Sequence, residues 1–369
     1  MHAASLGEFE QGRPVLQKIR NEFTDVNIVI TFFSPSGFEI AKKNKEFKNI
    51  FYLPMDSKIN AKKWLNILKP DLVLWVKYEY WYFYLQEIKS RNIPLLMISG
   101  VYRSNQIFFR WYGTFYKKML SSFTYFFLQN KNSKEQLEKI IPAKKITVAG
   151  DTRCDRVIDI AENFIEIPGI REFCNESKVI VMGSTWEEDE TEWIHFARQH
   201  PEIKFIIAPH EIDAENIADV KKEFEASVFY SEWVSEVSGI NDEALGREFH
   251  CLIIDNIGML SRLYYYATIT YVGGGFGDDG LHNILEAAVY GKPVIFGPEH
   301  EKNFEAQELI NCGGAISIEN AIELEKMINQ LLKNETELSS RSVAAKKYVY
   351  KNAGASDKVI SFIKANKLI

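Results

Sequence analysis

Short apolar runs, each bounded by glycine, serine, proline or charged residues, punctuate this chain, with amphipathic segments between them. "NIVITFFS", "DLVLWVKYE" and "IPLLMISG" lie in the first half; "KVIVMGST", "KFIIAPHE", "CLIIDN", "ITYVGGG" and "KPVIFGP" lie in the second. Runs this short and this apolar predict strands buried on both faces, the pattern of a parallel sheet. Parallel neighbours need crossover helices, and the amphipathic segments supply them. Two such sets predict an α/β chain of two doubly wound Rossmann-like domains. The expected division is an N-terminal domain over 1–155, a linker over 156–176, and a C-terminal domain over 177–369 that keeps the terminal helix. Open parallel sheets bind ligands at the carboxyl ends of their strands, so two such domains facing each other predict a site in the cleft between them.

The 369 residues are 46% hydrophobic and 25% charged, enough apolar material for two cores. No apolar run reaches the roughly 18 residues that a membrane span requires. Cys154, Cys174, Cys251 and Cys312 form no C-x-x-C pair and read as buried thiols of a reducing compartment. The net charge of −6 argues against nucleic acid as a partner, but it conceals a division. Residues 1–150 carry a net +11 and residues 151–369 a net −17. A basic first half suits an anionic acceptor or an anionic lipid surface. Met1-His2-Ala3 reads as the end of a first strand whose earlier residues are missing.

Three strand-to-helix turns could carry chemistry. In "HAASLGEFEQ" (2–11), Ser5 and Glu8 fit the S-x-x-E capping box, and Glu8 could equally be a catalytic base at a cleft mouth. In "MGSTWEEDE" (182–190), Ser184 and Glu187 form a second capping box, whose free N–H groups also suit an anion. In "YVGGGFGDDGLHNILEAAVYGKPVIFGP" (271–298), a strand enters a glycine loop and a helix is expected from about Leu281 or His282. Gly273, Gly274 and Gly275 would let backbone N–H groups approach a phosphate. His282 and Asn283 could donate to an anion, and Glu286 could accept from ribose hydroxyls. Gly275, Gly277 and Gly280 also spell G-x-G-x-x-G, a weak dinucleotide signal because it comes late in its domain. His210 ends another strand in "IIAPHEI", whereas His195 and His200, five apart, do not share a helix face as zinc ligands would. In "VYRSNQIFFRWYGTFYKKML" (101–120), Arg103, Arg110 and Lys117 would share one face of a helix and Phe108, Tyr112, Phe115 and Met119 another, as in an interfacial helix or a core helix with a basic edge.

These blocks, taken with Glu79 in "WVKYEYW", "GDTRCDR" and the continuation "EHEKNFEA", occur in the order found in the 3-deoxy-D-manno-octulosonic acid (Kdo) transferases, which the chain resembles along nearly its whole length. The resemblance implies the GT-B architecture and an inverting transfer of Kdo from CMP-Kdo to a lipid A precursor, with no cofactor and no metal. It implies Glu8 as the catalytic base, Glu79 and Arg103 on the acceptor, and Ser184, Thr185, His210, Gly273, Gly274, Gly275, His282, Asn283 and Glu286 on the donor. Arg153 is a candidate for the Kdo carboxylate. A monomer in peripheral contact with the anionic cytoplasmic face of the inner membrane is expected. The chain departs from the family in lacking its N-terminal anchor and first strand, an arginine within "APHE", a glycine before His282 and the W-P-N after Glu79. Other readings of the same residues are a GT-B transferase or epimerase using another nucleotide sugar, a nicotinamide oxidoreductase built on the Gly275 loop, and a non-catalytic membrane-associated scaffold.

Overall fold

The computed structural model describes the chain except residues 44–45, 78, 238–247 and 278–279 and the side chain of Ser36. It divides into two compact units, Met1–Arg156 with Asn352–Ile369, and Val157–Lys351.

The first unit has strands β1 (Val29–Phe32), β2 (Asn49–Tyr52), β3 (Val73–Val76), β4 (Leu95–Gly100), β5 (Tyr125–Leu128) and β6 (Ile146–Val148). β1 pairs with β2, and β3 to β6 pair in chain order, all parallel. Residues 1–3 join the two groups. His2 N–H donates to Leu74 O at 2.8 Å and Ala3 N–H to Thr31 O at 3.0 Å, while Val76 N–H donates to His2 O at 3.1 Å. With this segment counted as the first strand, the spatial order runs 3-2-1-4-5-6-7, and the direction of winding reverses between residues 1–3 and β3. That reversal is the switch point at which doubly wound sheets bind ligands. A cavity of about 900 Å³ opens at the opposite, amino-terminal edge, between Ile28-Val29 and Leu72-Val73, and is lined by none of the candidate residues.

The second unit has β7 (Val179–Thr185), β8 (Lys204–Pro209), β9 (Ser227–Phe229), β10 (Cys251–Ile253), β11 (Ile269–Val272), β12 (Val294–Phe296) and β13 (Ala315–Ser317). These form one parallel sheet in the order β13-β12-β11-β7-β8-β10-β9, whose switch point lies between β7 and β11. Every strand expected from an apolar run is present, and the central ones are buried on both faces because helices cover the sheet.

The division differs from the sequence reading at both ends. Helices Thr152–Glu162 and Ile170–Cys174 occupy the expected linker. The helix Ala355–Ala365 belongs to the first unit, where Val359, Ile360 and Ile363 are buried in one cluster with Leu16, Ile19 and Val76. Asp155 fixes its start by accepting from Gly354 N–H at 2.5 Å and from the Ser356 N–H and hydroxyl at 2.7 and 2.6 Å. Gly150 makes room for this return, since a Cβ there would lie 2.7 Å from Asn352 O.

Candidate functional site

Each unit brings its candidates to the carboxyl edge of its own sheet. In the first, the helix Leu6–Glu22 follows directly on residues 1–3 and is capped by Ser5, whose hydroxyl accepts from Glu8 N–H at 3.4 Å. Glu8 does not complete the usual box on Ser5 N–H. Its Oε2 accepts from Ala4 N–H at 2.5 Å, one residue earlier, so the carboxylate is held back over the strand end. It is 9% exposed, and a Cβ on Gly7 beside it would meet nothing within 4 Å. The carboxylate is therefore tethered by the backbone of its own turn.

Lys77, immediately after β3, is the residue across the switch point from Glu8. Its backbone takes φ +52°, unusual for a side chain of this size, and its N–H donates to Ile98 O at 3.1 Å. Burial and then the Arg153 guanidinium push its ammonium down to about 8, with Asp151 and Glu8 opposing and Arg103 adding to the shift. Arg153 holds Asp151 through Nε at 3.0 Å and Nη2 at 2.6 Å. The Thr152 hydroxyl meets that of Ser99 at 2.8 Å, tying this turn to the end of β4. Glu79 is engaged differently from an open acceptor contact: its Oε2 accepts from the Trp81 indole at 2.7 Å and its carbonyl from the Trp75 indole at 2.7 Å.

Residues 101–120 do not form one helix. A 3₁₀ turn at Ile107–Phe109 is followed by a break and the helix Thr114–Leu120. The chain doubles back so tightly that a Cβ on Gly113 would lie 2.1 Å from Ile107 O. The expected faces are therefore broken. Phe108 and Met119 enter the core, while Trp111, Tyr112 and Phe115 are exposed beside the exposed Arg110.

In the second unit the ends of β7, β8 and β11 converge. The helix Glu187–Gln199 starts later than the S-x-x-E spacing predicts. Trp186 is its N-cap, and Trp186 N–H donates to Asp189 at 3.0 Å. Ser184 lies before the cap with φ +52°. The Thr185 hydroxyl does not face outward but donates to the buried Glu190 at 2.7 Å. The glycine loop also differs from expectation. Its helix is the single turn Leu285–Ala288, because Asn283 Oδ1 first accepts from Leu285 N–H at 3.3 Å, and Asn283 Nδ2 donates to Glu286 at 3.0 Å. That is not the tight strand-turn-helix a dinucleotide fingerprint requires.

The glycines serve close packing. A Cβ on Gly273 would lie 2.3 Å from Ser184 O, and one on Gly275 2.6 Å from Gly297 N. Gly274 takes φ +85°. Asp189, fully buried, clasps the assembly: it accepts from Gly274 N–H at 2.8 Å and from the Tyr271 hydroxyl at 2.5 Å as well as from Trp186. Burial raises its pKa, with those three donors opposing. Above this clasp sit three rings. His210 stacks on Trp186 and on His282 with centroids 4.5 Å away in each case. The Trp186 indole N–H donates to His282 Nε2 at 3.2 Å, which leaves the imidazole proton on Nδ1.

Lys77, Asp151, Trp186, Asp189 and Glu190 were not singled out from sequence. Lys77 was detectable as the residue immediately following an apolar run, and Asp189 as an acidic third residue of a helix. Of the cysteines, Cys154 and Cys251 are buried as expected, but Cys312 is exposed. His195 pairs with Glu325 and His200 with Glu202, apart from the sites. Among the described residues no helix is long and apolar enough to cross a membrane.

Known proteins resemble the chain in sequence and in fold. Residues 1–156 match the family described as 3-deoxy-D-manno-octulosonic-acid transferase (kdotransferase). A 3-deoxy-D-manno-octulosonic acid transferase of Aquifex aeolicus is 25% identical over 345 residues, 92% of this chain and 87% of that protein. A bifunctional glycosyltransferase/methyltransferase of Fusobacterium nucleatum is 27% identical over 91% of this chain, which spans 52% of that longer protein. Among solved structures, the UDP-GlcNAc 2-epimerase of Neisseria meningitidis bound to UDP-GlcNAc superposes with a TM-score of 0.68 at 17% identity, covering 99% of this chain and 98% of that one; this shows the fold alone. The chain thus has two parallel Rossmann-like units of the GT-B kind, its residues 1–156 match the Kdo transferase domain, and over most of its length it is similar to proteins named as Kdo transferases and glycosyltransferases.

Proposed function

We propose that the chain transfers Kdo from CMP-Kdo to a sugar hydroxyl of a lipid A precursor, with inversion at the anomeric carbon. The observation that carries this reading is the carboxylate of Glu8, tethered to Ala4 N–H at the switch point of the first sheet. Glu8 takes the proton of the acceptor hydroxyl as its oxygen bonds to the anomeric carbon. The bond from that carbon to the phosphate oxygen breaks, and CMP departs with the electron pair. The donor side is the edge formed by Ser184, Thr185, Gly273, Gly274 and Gly275, with His210, His282 and Asn283 as side-chain donors and Glu286 on the ribose; the N–H groups of Gly273 and Gly274 are taken by Gly183 O and Asp189, so these glycines shape the site by close packing. Preorganised side-chain donors of this kind stabilise charge developing on a leaving phosphate. Glu79 and Arg103 serve the acceptor, Glu79 by holding the Trp81 ring. The +11 charge of residues 1–150 and the exposed Trp111, Tyr112 and Phe115 support peripheral contact with an anionic membrane face.

The test is CMP release from CMP-Kdo in the presence of tetraacylated lipid A precursor, with the unmodified chain and with Glu8→Ala. Turnover should fall at least about a hundredfold while CMP affinity is retained. A Glu8→Ala protein that still turns over would move the base elsewhere and leave Glu8 with its hydrogen bond to Ala4. Binding of UDP in preference to CMP would instead favour a transferase or epimerase using another nucleotide sugar.

A further inference from the structure

We propose that Glu190 is a positioning residue of the nucleotide edge, holding His210 and the Gly273 loop in place through Thr185. The inference rests on the reading of this edge as the donor side, but the geometry behind it lies wholly within the second unit.

Thr185 is where three elements meet. Its carbonyl accepts from His210 N–H at 2.9 Å, which joins the end of β7 to the residue that follows β8. Its Cα lies 2.7 Å from the place a Cβ on Gly273 would take, so the glycine loop rests directly on it. The strand is bent at this point. β7 and β8 fall out of register between Gly183 and Thr185, and Ser184 between them takes φ +52°. A bulge of this kind bends its strand and re-aims a side chain. The side chain so aimed is the buried Thr185 hydroxyl, which donates to Glu190 at 2.7 Å and ties the bent strand end to the following helix.

Two consecutive residues of one helical turn thus reach two sides of the loop, Asp189 to Gly274 N–H and Glu190 to Thr185. They are not equivalent. Asp189 accepts from three donors, which suits a buried negative charge, whereas the Thr185 hydroxyl is the one side-chain donor to Glu190 among the described residues. Glu190 is the member that titrates close to neutral pH. Burial pushes its carboxyl up to about 7; the Thr185 hydroxyl opposes, and Asp189 and Glu187 of its own helix add to the rise. Of the elements packed on this helix, β7 supplies Thr185, β11 supplies Tyr271 to Asp189, and the helix Ala321–Lys333 supplies Glu325, which pairs with His195. Ionised, Glu190 sets a second buried negative charge beside Asp189, in the turn that holds Thr185 and Gly274 together. By linkage, a nucleotide that needs this turn intact favours the protonated acid, and the protonated acid favours the nucleotide.

The first measurement needs no ligand. In the full chain the Gly273 amide and the Thr185 methyl should move with pH in NMR spectra, with a common midpoint of about 7. In Glu190→Gln, whose amide still accepts from Thr185, both should stay still. In Thr185→Val the Gly273 midpoint should rise, because the hydroxyl that held the carboxyl down is gone. A Gly273 amide that does not move, or that titrates equally in Glu190→Gln, overturns the proposal. The second measurement is CMP binding by calorimetry. Glu190→Ala leaves the Thr185 hydroxyl buried without its acceptor and should weaken CMP roughly tenfold. Glu190→Gln should restore the affinity and, at pH 8, bind CMP a few-fold tighter than the unmodified chain. A phosphate monoester titrates at about 6 with every variant alike, so that difference belongs to Glu190. CMP bound equally by all variants at pH 6 and pH 8 overturns the positioning role and leaves the donor reading standing. A Gly273 titration that depends on Glu190, in a chain that binds no CMP, sinks the donor reading alone.

Discussion

The two switch points are built from opposite materials. In the first unit the edge is lined by charged side chains standing on strand ends: Glu8, Lys77, Arg103, Asp151 and Arg153. In the second it is lined by backbone packed on backbone, Gly273 against Ser184 and Gly275 against Gly297, and the buried charges serve to hold that backbone. The same sheet topology therefore presents titratable groups at one edge and close-packed backbone beneath a stack of rings at the other. Proton transfer needs a group that changes charge, whereas a leaving phosphate needs donors that do not move. The comparison predicts that substitutions in the first unit alter reactivity at little cost to folding. Those in the second should damage the fold and the donor affinity together.

The sharpest way to break that contrast is a pair of glycines. Gly273→Ala puts a methyl 2.3 Å from Ser184 O and 2.7 Å from Thr185 Cα, two backbone atoms that cannot give way. CMP binding by calorimetry should be lost and the Tm of the second unit should fall by several degrees, since overpacking costs about 1–3 kcal/mol or more. Gly7→Ala meets nothing within 4 Å and sits in a helix, where alanine is favoured by up to about 1 kcal/mol. Its Tm should match or exceed that of the unmodified protein, and any loss should appear in acceptor turnover.

Asp189→Asn addresses the clasp itself. The carboxylate serves three donors, and an amide offers a single acceptor oxygen while turning its NH₂ towards one of them. A loss of about 3 kcal/mol in denaturant unfolding is expected, with CMP affinity weakened roughly tenfold. An unchanged CMP affinity would mean that the Gly274 loop does not depend on its tether.

Glu190 carries a pH signature of the second unit. Burial, reinforced by Asp189 and opposed by the Thr185 hydroxyl, pushes its carboxyl up to about 7. The unfolded chain releases this proton near 4.5 while the folded chain retains it until about 7. The folded state thus binds more protons across that window, and stability falls as pH rises through it, by up to about 3 kcal/mol. Glu190→Gln should flatten the Tm against pH between those limits. An equally steep profile in the variant would assign the dependence to another group.

The central strands were legible because a buried parallel strand is an uninterrupted apolar run such as "KFIIAP" or "LLMISG", whereas the edge strands β2, β9 and β13 are too short or too exposed to carry one. The loop at Gly273–Gly275 was legible as a loop, but its physical reason was not: the glycines answer to Ser184 and Gly297, which only folding brings near. The helix starts were misplaced in both turns. Local spacing could not reveal that Asp189, not Glu187, bonds back, nor that Asn283 delays the helix to Leu285. The terminal helix was assigned to the wrong unit for the same reason. Its partners, Leu16 and Ile19, lie more than three hundred residues earlier, and no periodicity records a return of that length. Arg103, Arg110 and Lys117 carried a helical spacing that Gly113 breaks by folding the chain onto Ile107 O.

The smallest expected effect is also the most specific. Trp186→Phe keeps a ring against His210 and removes only the N–H that donates to His282 Nε2 at 3.2 Å. Without that donor the imidazole is free to place its proton on either nitrogen, so part of the population presents an acceptor where the bound anion needs a donor. The fold loses one partly exposed hydrogen bond, worth about 1 kcal/mol, and Tm should barely move. The Kd for CMP should rise by a few-fold, and Trp186→His, which restores a ring N–H, should recover most of it. If both variants bind CMP as the unmodified chain does, the tautomer of His282 is not set by Trp186. The second unit would then owe its donor affinity to backbone alone, which would make its contrast with the first unit complete.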